Sequence, residues 1–241
     1  MKSFFKKFRD AQRPFCTMIV AAAGASSRMG GGNKLFMPID GIPVLARTLL
    51  AVDQVSLVDE ILIAAREEDI LTISDLCKTF GISKPVKVVR GGESREESVY
   101  LAAIEADSRA GLIAVQDGDR PLVTPELIAE VVRKAAATAA AAPAVAVKDT
   151  IKVAQEGVVV DTPQRETLYA VQTPQVFDAD LLRAALQSAL QSGAELTDDC
   201  SAVERMGKQV FLTEGDPENL KITTPVDLTI AEAIIQEREE S

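Results

Sequence analysis

The sequence predicts an α/β fold: a mostly parallel sheet covered by helices on both faces, with a β-arm protruding from it. Three observations carry this expectation. Short apolar runs alternate with longer amphipathic segments from Cys16 onward, and a glycine-rich loop follows the first apolar run directly. The alternation breaks once, between residues 149 and 177, where short β-like pieces flank a turn.

Each element has its own signal. Residues 17–22 are uncharged and β-prone, which reads as a strand buried on both faces. A helix over 43–52 has Pro43 in its first turn. A second strand at 60–65 precedes a helix over 67–80 that stops at Gly81. The third strand, 86–89, runs into Gly91 and Gly92. Ser94 and Glu97 have the S-x-x-E spacing of a capping box for a helix over 94–106. A fourth strand spans 112–116. Thr124 caps a helix reaching residue 140, with Leu127, Ile128, Val131 and Val132 on its apolar face. The alanines at 135–142 read as helix, and 144–147 as the fifth strand. Residues 151–153 and 158–160 flank Glu156-Gly157, a hairpin signal. Such an arm, spanning about 149–172, has an edge to protect. Pairing with a second subunit is preferred to a hairpin folded back on its own domain. Helices follow over 179–191, 198–206 and 225–237, with a strand at 209–212. The last helix shows Val226, Ile230 and Ile234 as its apolar stripe. The architecture is Rossmann-like, and such sheets bind ligands at the carboxyl ends of their strands.

Composition narrows the chemistry. The 241 residues include no His, which excludes Ser-His-Asp and Cys-His nucleophiles and His-liganded zinc. Three Cys, scattered at 16, 77 and 200, fit a reducing cytoplasm better than a disulfide framework. A formal net charge of −10 argues against a nucleic-acid partner. No apolar run approaches the ~18 residues of a membrane span. Residues 1–15 form a basic extension in which Phe4, Phe5 and Phe8 accompany Lys2, Lys6, Lys7, Arg9 and Arg13. It reads as a short packed helix or frayed end rather than a membrane-surface helix. Residues 16–241 read as one domain.

The loop after the first strand, Ala21-Ala22-Ala23-Gly24-Ala25-Ser26-Ser27-Arg28-Met29-Gly30-Gly31-Gly32-Asn33-Lys34, is the most informative stretch. Small residues admit close approach of a ligand, and backbone N–H groups cradle phosphate oxygens. A structural turn needs neither Arg28 nor Lys34. The P-loop and dinucleotide fingerprints both fail here.

This loop resembles the signature of the nucleotidyltransferase superfamily. Five later segments resemble one family within it, the 2-C-methyl-D-erythritol 4-phosphate cytidylyltransferases. They are Gln116-Asp117-Gly118-Asp119-Arg120-Pro121, Lys148-Asp149-Thr150-Ile151-Lys152, Arg165 with Gln172-Thr173-Pro174-Gln175-Val176-Phe177, Thr197-Asp198-Asp199-Cys200-Ser201-Ala202, and Asn219-Leu220-Lys221-Ile222-Thr223. The blocks keep the family's order over about residues 17–235.

The resemblance implies CMP transfer from CTP to 2-C-methyl-D-erythritol 4-phosphate in non-mevalonate isoprenoid precursor synthesis, with release of pyrophosphate. By matched position it implies that Arg28 and Lys34 stabilise charge around the CTP phosphates and that Lys221 binds phosphate and places the acceptor. Arg165 is implied to hold the acceptor phosphate from the neighbouring subunit of a homodimer, with Thr150 and Thr173 also on the acceptor side. Asp117 is implied to bind Mg²⁺. Ala22, Ala23 and Gly24, with Gly92, Glu93 and Ser98, would form the cytidine pocket, and Gly118 and Arg120 would line the site. Two residues depart from the pattern: Gln116 stands where the family has His, and Asp119 where a small residue is usual. Taken alone, Asp117 and Arg120 read equally as a structural ion pair. The competing functional readings are a ribitol 5-phosphate cytidylyltransferase, a nucleotidyltransferase for another base or sugar phosphate, and a non-catalytic nucleotide-binding or interaction domain.

Overall fold

Along the chain run β1 (Phe15–Ala22), a 3-10 turn (Lys34–Phe36), β2 (Pro38–Ile39), β3 (Ile42–Pro43), α1 (Val44–Asp53), β4 (Glu60–Ala65), a 3-10 turn (Glu67–Asp69), α2 (Ile70–Thr79) and β5 (Val86–Arg90). Then come α3 (Arg95–Ile104), β6 (Ala110–Asp117), α4 (Pro125–Thr138), β7 (Ala140–Ala146), β8 (Val153–Gln155), β9 (Val158–Asp161), a 3-10 turn (Arg165–Thr167) and β10 (Tyr169–Val171). The chain finishes with β11 (Gln175–Asp178), α5 (Ala179–Ser192), α6 (Asp199–Arg205), β12 (Phe211–Glu214) and α7 (Pro225–Glu240). This computed structural model describes residues 13–24 and 33–240. The expectations for the basic extension up to residue 12, and for Arg28 and the glycines at 30–32, lie outside the described residues.

The sheet follows the hydrogen-bonded path β10-β7-β11-β6-β1-β4-β5, with β12 also on β7. Parallel pairs join β6 to β1, β1 to β4 and β4 to β5, while β11 runs antiparallel between β6 and β7. Ala144 faces Val171 of β10 and Glu214 of β12, and Ala141 faces Val176 of β11 and Phe211 of β12. A strand residue has two lateral neighbours, so β10 and β11 share one edge of β7 and β12 takes the other. The expected mostly parallel sheet is present, with this antiparallel insertion.

Side chains of β1 alternate between two cores because both faces are covered. Met18, Val20 and Ala22 pack with Leu45, Leu49, Ile61 and Ile63 on one side. Ile19 packs with Leu62, Val99, Ile113, Phe177 and Leu182 on the other. Local signals set most boundaries. Thr124 accepts a hydrogen bond from Leu127 N at 3.2 Å, and Gly193 closes α5 in the left-handed region. Ser94 accepts from Glu97 N at 3.2 Å, but Glu97 Oε2 accepts from Glu93 N at 2.7 Å rather than from the cap's own amide, so the expected box is only half formed.

Two expectations need correction. The alanine run does not stay helical to residue 142: Ala139 turns left-handed, and β7 begins at Ala140. Residues 140–144 are buried between two neighbouring strands, and that tertiary position overrides the helical preference of alanine. The stripe on α7 is also displaced. Val226 and Ile230 are exposed, whereas Ala231 and Ile235 are buried, with Leu228 and Ile234 packed beside them on Ile39, Val44, Leu122 and Ile222.

The hairpin forms as expected. Glu156 and Gly157 both have positive φ, 49° and 81°, the geometry of the two-residue turn that matches strand twist. All seven residues of β8 and β9 are exposed.

Candidate active site

The strand ends bring the sequence motifs together. At the end of β6, Asp117 is 6% exposed and faces three cations. Lys221 Nζ lies 3.1 Å and Arg120 Nε 3.2 Å from its Oδ2, and Arg95 Nη2 lies 3.5 Å from its Oδ1. Burial works against ionisation of Asp117. Lys221, then Arg95 and Arg120, outweigh it and hold the carboxyl down at about 2. The ion pair of Asp117 with Arg120 is therefore real, and it belongs to a larger charge cluster.

Lys34 opens the 3-10 turn that Asn33 caps, and Asn33 is tied to Asp69 at 3.0 Å. Its ammonium donates to Ile222 O at 2.8 Å and pairs with Asp119, both side chains being largely buried. The unexpected Asp119 thus has a definite partner, and its carbonyl belongs to the same junction, since Ile222 N donates to Asp119 O at 2.8 Å. Asp119→Ala is expected to change kcat/KM less than ~10-fold, because Lys34 keeps its bond to Ile222 O and with it the position of its ammonium. Steady-state pyrophosphate release checks this, and a gain beyond that range would mean that Asp119 holds Lys34 away from its task.

Several motif residues act as scaffold. Thr173 Oγ1 accepts from Asp117 N at 3.1 Å, and Asn219 Nδ2 donates to Thr173 O at 3.0 Å. Arg120 Nη1 donates to Asn219 O at 2.7 Å. Gln172 Nε2 donates to Asp216 O at 2.8 Å, and Gln175 Nε2 donates to Asp198 Oδ2 at 2.9 Å. These bonds fix the Lys221 segment and α6 against β6 and β11. Gly118 N donates to Ala21 O at 3.0 Å, locking the ends of β6 and β1 together.

Beside this cluster, Ala23, just past the end of β1, meets Gly91, just past the end of β5, and Ser98 in the first turn of α3. A Cβ on Gly91 would stand 2.9 Å from Ala23 Cβ and 2.8 Å from Ser98 Oγ, so only glycine permits this convergence. Ser98 Oγ accepts from Gly92 N at 3.0 Å and donates to Ser94 O at 2.7 Å. Thr150 and Arg165 are not brought to the cluster. Both are exposed at the arm, where Arg165 Nη1 donates to Lys148 O at 3.3 Å.

Arg95 was not singled out from the sequence. It links Asp117 to Asp199, donating to Asp199 Oδ2 at 2.8 Å. The quoted Thr197–Ala202 block was its one signal. Three buried oxygens near this network, Gln116 Oε1, Asp199 Oδ1 and Asn219 Oδ1, have no hydrogen-bond partner among the described residues.

Residues 16–237 match the family profile of 2-C-methyl-D-erythritol 4-phosphate cytidylyltransferase. The chain belongs to that family. A relative of that name from Caldanaerobacter subterraneus subsp. tengcongensis is 44% identical over 221 residues, covering 90% of this chain and 97% of its own. One from Bacillus cereus is 44% identical over 220 residues, covering 91% and 97%. Among solved structures, the 4-diphosphocytidyl-2C-methyl-D-erythritol synthase of Anaerococcus prevotii superposes with a TM-score of 0.84 at 31% identity, over 92% of this chain and 96% of that one. The chain is accordingly a cytidylyltransferase, a nucleotidyltransferase with the α/β fold that its sequence predicted.

A divalent metal was implied for this family member at Asp117. The donor set fits one: Oδ2 carries two of the cations, while among the described residues Oδ1 has only the long contact to Arg95. Among the described residues no group of three or more acidic or Cys side chains forms a cage. A lone buried carboxylate such as Asp117 suits Mg²⁺, which is commonly held by one or two carboxylates together with substrate phosphate.

Proposed function

We propose that this cytidylyltransferase transfers CMP from CTP to 2-C-methyl-D-erythritol 4-phosphate at the charge cluster around Asp117, with cytidine in the Ala22–Gly24 and Gly92–Ser98 pocket. The observation that carries the reading is Lys34, Lys221, Arg120 and Arg95 gathered on Asp117 and Asp119 at the carboxyl end of the sheet. An oxygen of the acceptor phosphate forms a bond to the α-phosphorus of CTP. The bond from that phosphorus to the β-phosphate oxygen breaks, and pyrophosphate leaves.

A phosphate monoester is already ionised at neutral pH, so the attack needs no general base, in keeping with a chain that has no His. The residues must instead hold two anions together and balance charge as it moves toward the leaving group. In this reading Arg28 and Lys34 lie along the CTP phosphates. Lys221 contacts phosphate and places the acceptor, Arg120 and Gly118 line the floor, and Asp117 holds Mg²⁺. The metal, when bound, supplies Lewis-acid stabilisation to phosphate oxygens.

The arm supports a homodimer. Val158, Val159 and Val160 are 66%, 54% and 53% exposed, an apolar edge that a second copy would cover. Arg165 would then enter the partner's site, with Thr150 near it, while Thr173 supports the acceptor side from within. The same reading takes residues 16–241 as one domain carrying the arm at about 149–172. Arg165→Ala is expected to raise the acceptor KM ~10-fold or more while leaving the KM for CTP within about twofold, the pattern of a lost phosphate contact. An effect confined to CTP would contradict the role. Light scattering at assay concentration should give the mass of two chains, and a monomer would remove the in-trans assignment.

No helix among the described residues is long and apolar enough to cross a membrane. The unpaired, buried Cys16, Cys77 and Cys200 suit the cytoplasm as the place of action. The test of function is pyrophosphate release with Mg²⁺ and CTP, offering 2-C-methyl-D-erythritol 4-phosphate and ribitol 5-phosphate separately. Release with the first alone supports the proposal. Release with the second alone replaces the acceptor, and silence with both favours a nucleotide-binding domain without catalysis.

A further inference from the structure

The two oxygens of Asp117 are used unequally. Lys221 and Arg120 both approach Oδ2, whereas among the described residues Oδ1 pairs with Arg95 alone, at 3.5 Å. That separation exceeds the ~2.7–2.9 Å of a charge-assisted bond. The nitrogen that stands off Oδ1 is the same Nη2 that donates to Asp199 Oδ2 at 2.8 Å. Arg95 is thus drawn away from Asp117 by a second acid.

The second acid is firmly seated. Asp199 is fully buried in the first turn of α6. That turn is fixed by bonds that do not involve the charge cluster. Asp198 Oδ1 accepts from Ser201 N at 2.9 Å, and Gln175 Oε1 accepts from Cys200 N at 3.0 Å. Stability alone is a poor explanation for the pair. Arg95 is about one-third exposed and would be solvated without Asp199, whereas Asp199 loses all its water and keeps Oδ1 without a partner among the described residues. Given Asp117 as its sole anionic neighbour, a guanidinium would close on the carboxylate in a fork.

We propose that Asp199 is a positioning residue that holds Arg95 off Asp117 Oδ1, keeping that oxygen available to the divalent cation that arrives with the nucleotide. The inference rests on the metal reading given above. Without Asp199, Arg95 swings onto Oδ1 and competes with the cation.

The test uses Mn²⁺ as the probe, followed by water-proton relaxation on the full-length protein with CTP and no acceptor. Asp199→Asn is expected to weaken Mn²⁺ uptake ~10- to 100-fold, the usual effect of losing a residue that orients a ligand. Metal-free CTP affinity, measured by calorimetry, should stay within about threefold, a change of less than 1 kcal/mol. The double variant Arg95→Gln/Asp199→Asn should recover most of the Mn²⁺ affinity, because no guanidinium remains to close on Oδ1. A purely structural Asp199 would make the double variant no better than the single. Unchanged Mn²⁺ affinity in Asp199→Asn, or a double variant as weak as the single, overturns the inference while leaving the metal reading intact. No Mn²⁺ uptake by the parent protein overturns both. If circular dichroism shows Asp199→Asn unfolded, Arg95→Gln alone decides: affinity equal to or tighter than the parent supports the inference, and weaker affinity overturns it.

Discussion

Lys34→Ala is expected to lower kcat for CMP transfer by ~10²- to 10³-fold, the loss typical of removing one preorganised donor to developing negative charge. The expectation follows from how firmly the ammonium is held. Asn33 caps the turn that Lys34 opens, accepting from Leu35 N at 3.1 Å. Ile222 O and Asp119 fix the far end of the side chain. Its side chain is 13% exposed, so the charge acts where water screens it little. A group already in place interacts with the transition state without reorganising, so the loss should fall on kcat more than on the KM for CTP. Pyrophosphate release at saturating CTP measures it. Unchanged kcat would remove Lys34 from the catalytic set.

Asp117→Asn should act on stability and activity together. The substitution leaves Lys221, Arg120 and Arg95 around a neutral amide. Breaking a buried ion pair costs about 3–5 kcal/mol, and the partial exposure of Lys221 and Arg95 brings the expected loss to about 2–4 kcal/mol. A urea melt reads that loss directly. Turnover should fall by more than ~10²-fold and should recover little with added Mg²⁺, because Asn lacks the anionic oxygen that the metal requires. A variant with parental Mg²⁺ dependence would contradict the assignment of Asp117.

The fold was legible where local chemistry decided it. The strand at 60–65 was bounded correctly to the residue, because an apolar run stands between a turn and charged residues. The Glu156-Gly157 turn was legible because few dipeptides fit its backbone. β7 was not, since alanine serves a helix or a crowded strand equally well, and only its neighbours β11 and β12 decide. The stripe of α7 failed for a related reason. The helix touches the body through a small cluster around Ile39 and Ile222, so burial selects Ala231 and Ile235, which face that cluster, over Val226 and Ile230, which do not.

The site divides in the same way. Asp117, Lys34 and Lys221 lie in motifs and were found from them, and the structure brings these three segments together. Arg95 follows the helix cap Ser94 and precedes Glu96 and Glu97, so its sequence surroundings describe a helix start. Its contacts with Asp117 and Asp199 arise only when β6, α3 and α6 meet in space.

The bond from Lys34 to the carbonyl of Ile222 has a consequence for the order of assembly. Strands β1, β4, β5 and β6 all lie before residue 118, so every residue of their mutual pairing is translated in the first half of the chain. The residues that complete the charge cluster do not exist until about nine-tenths of the polypeptide has been made, because Asn219 restrains Arg120, and Lys221 and Ile222 engage Asp117 and Lys34. A nascent chain that has just passed residue 118 therefore holds every residue of these parallel pairs while lacking the partners that complete the charge arrangement.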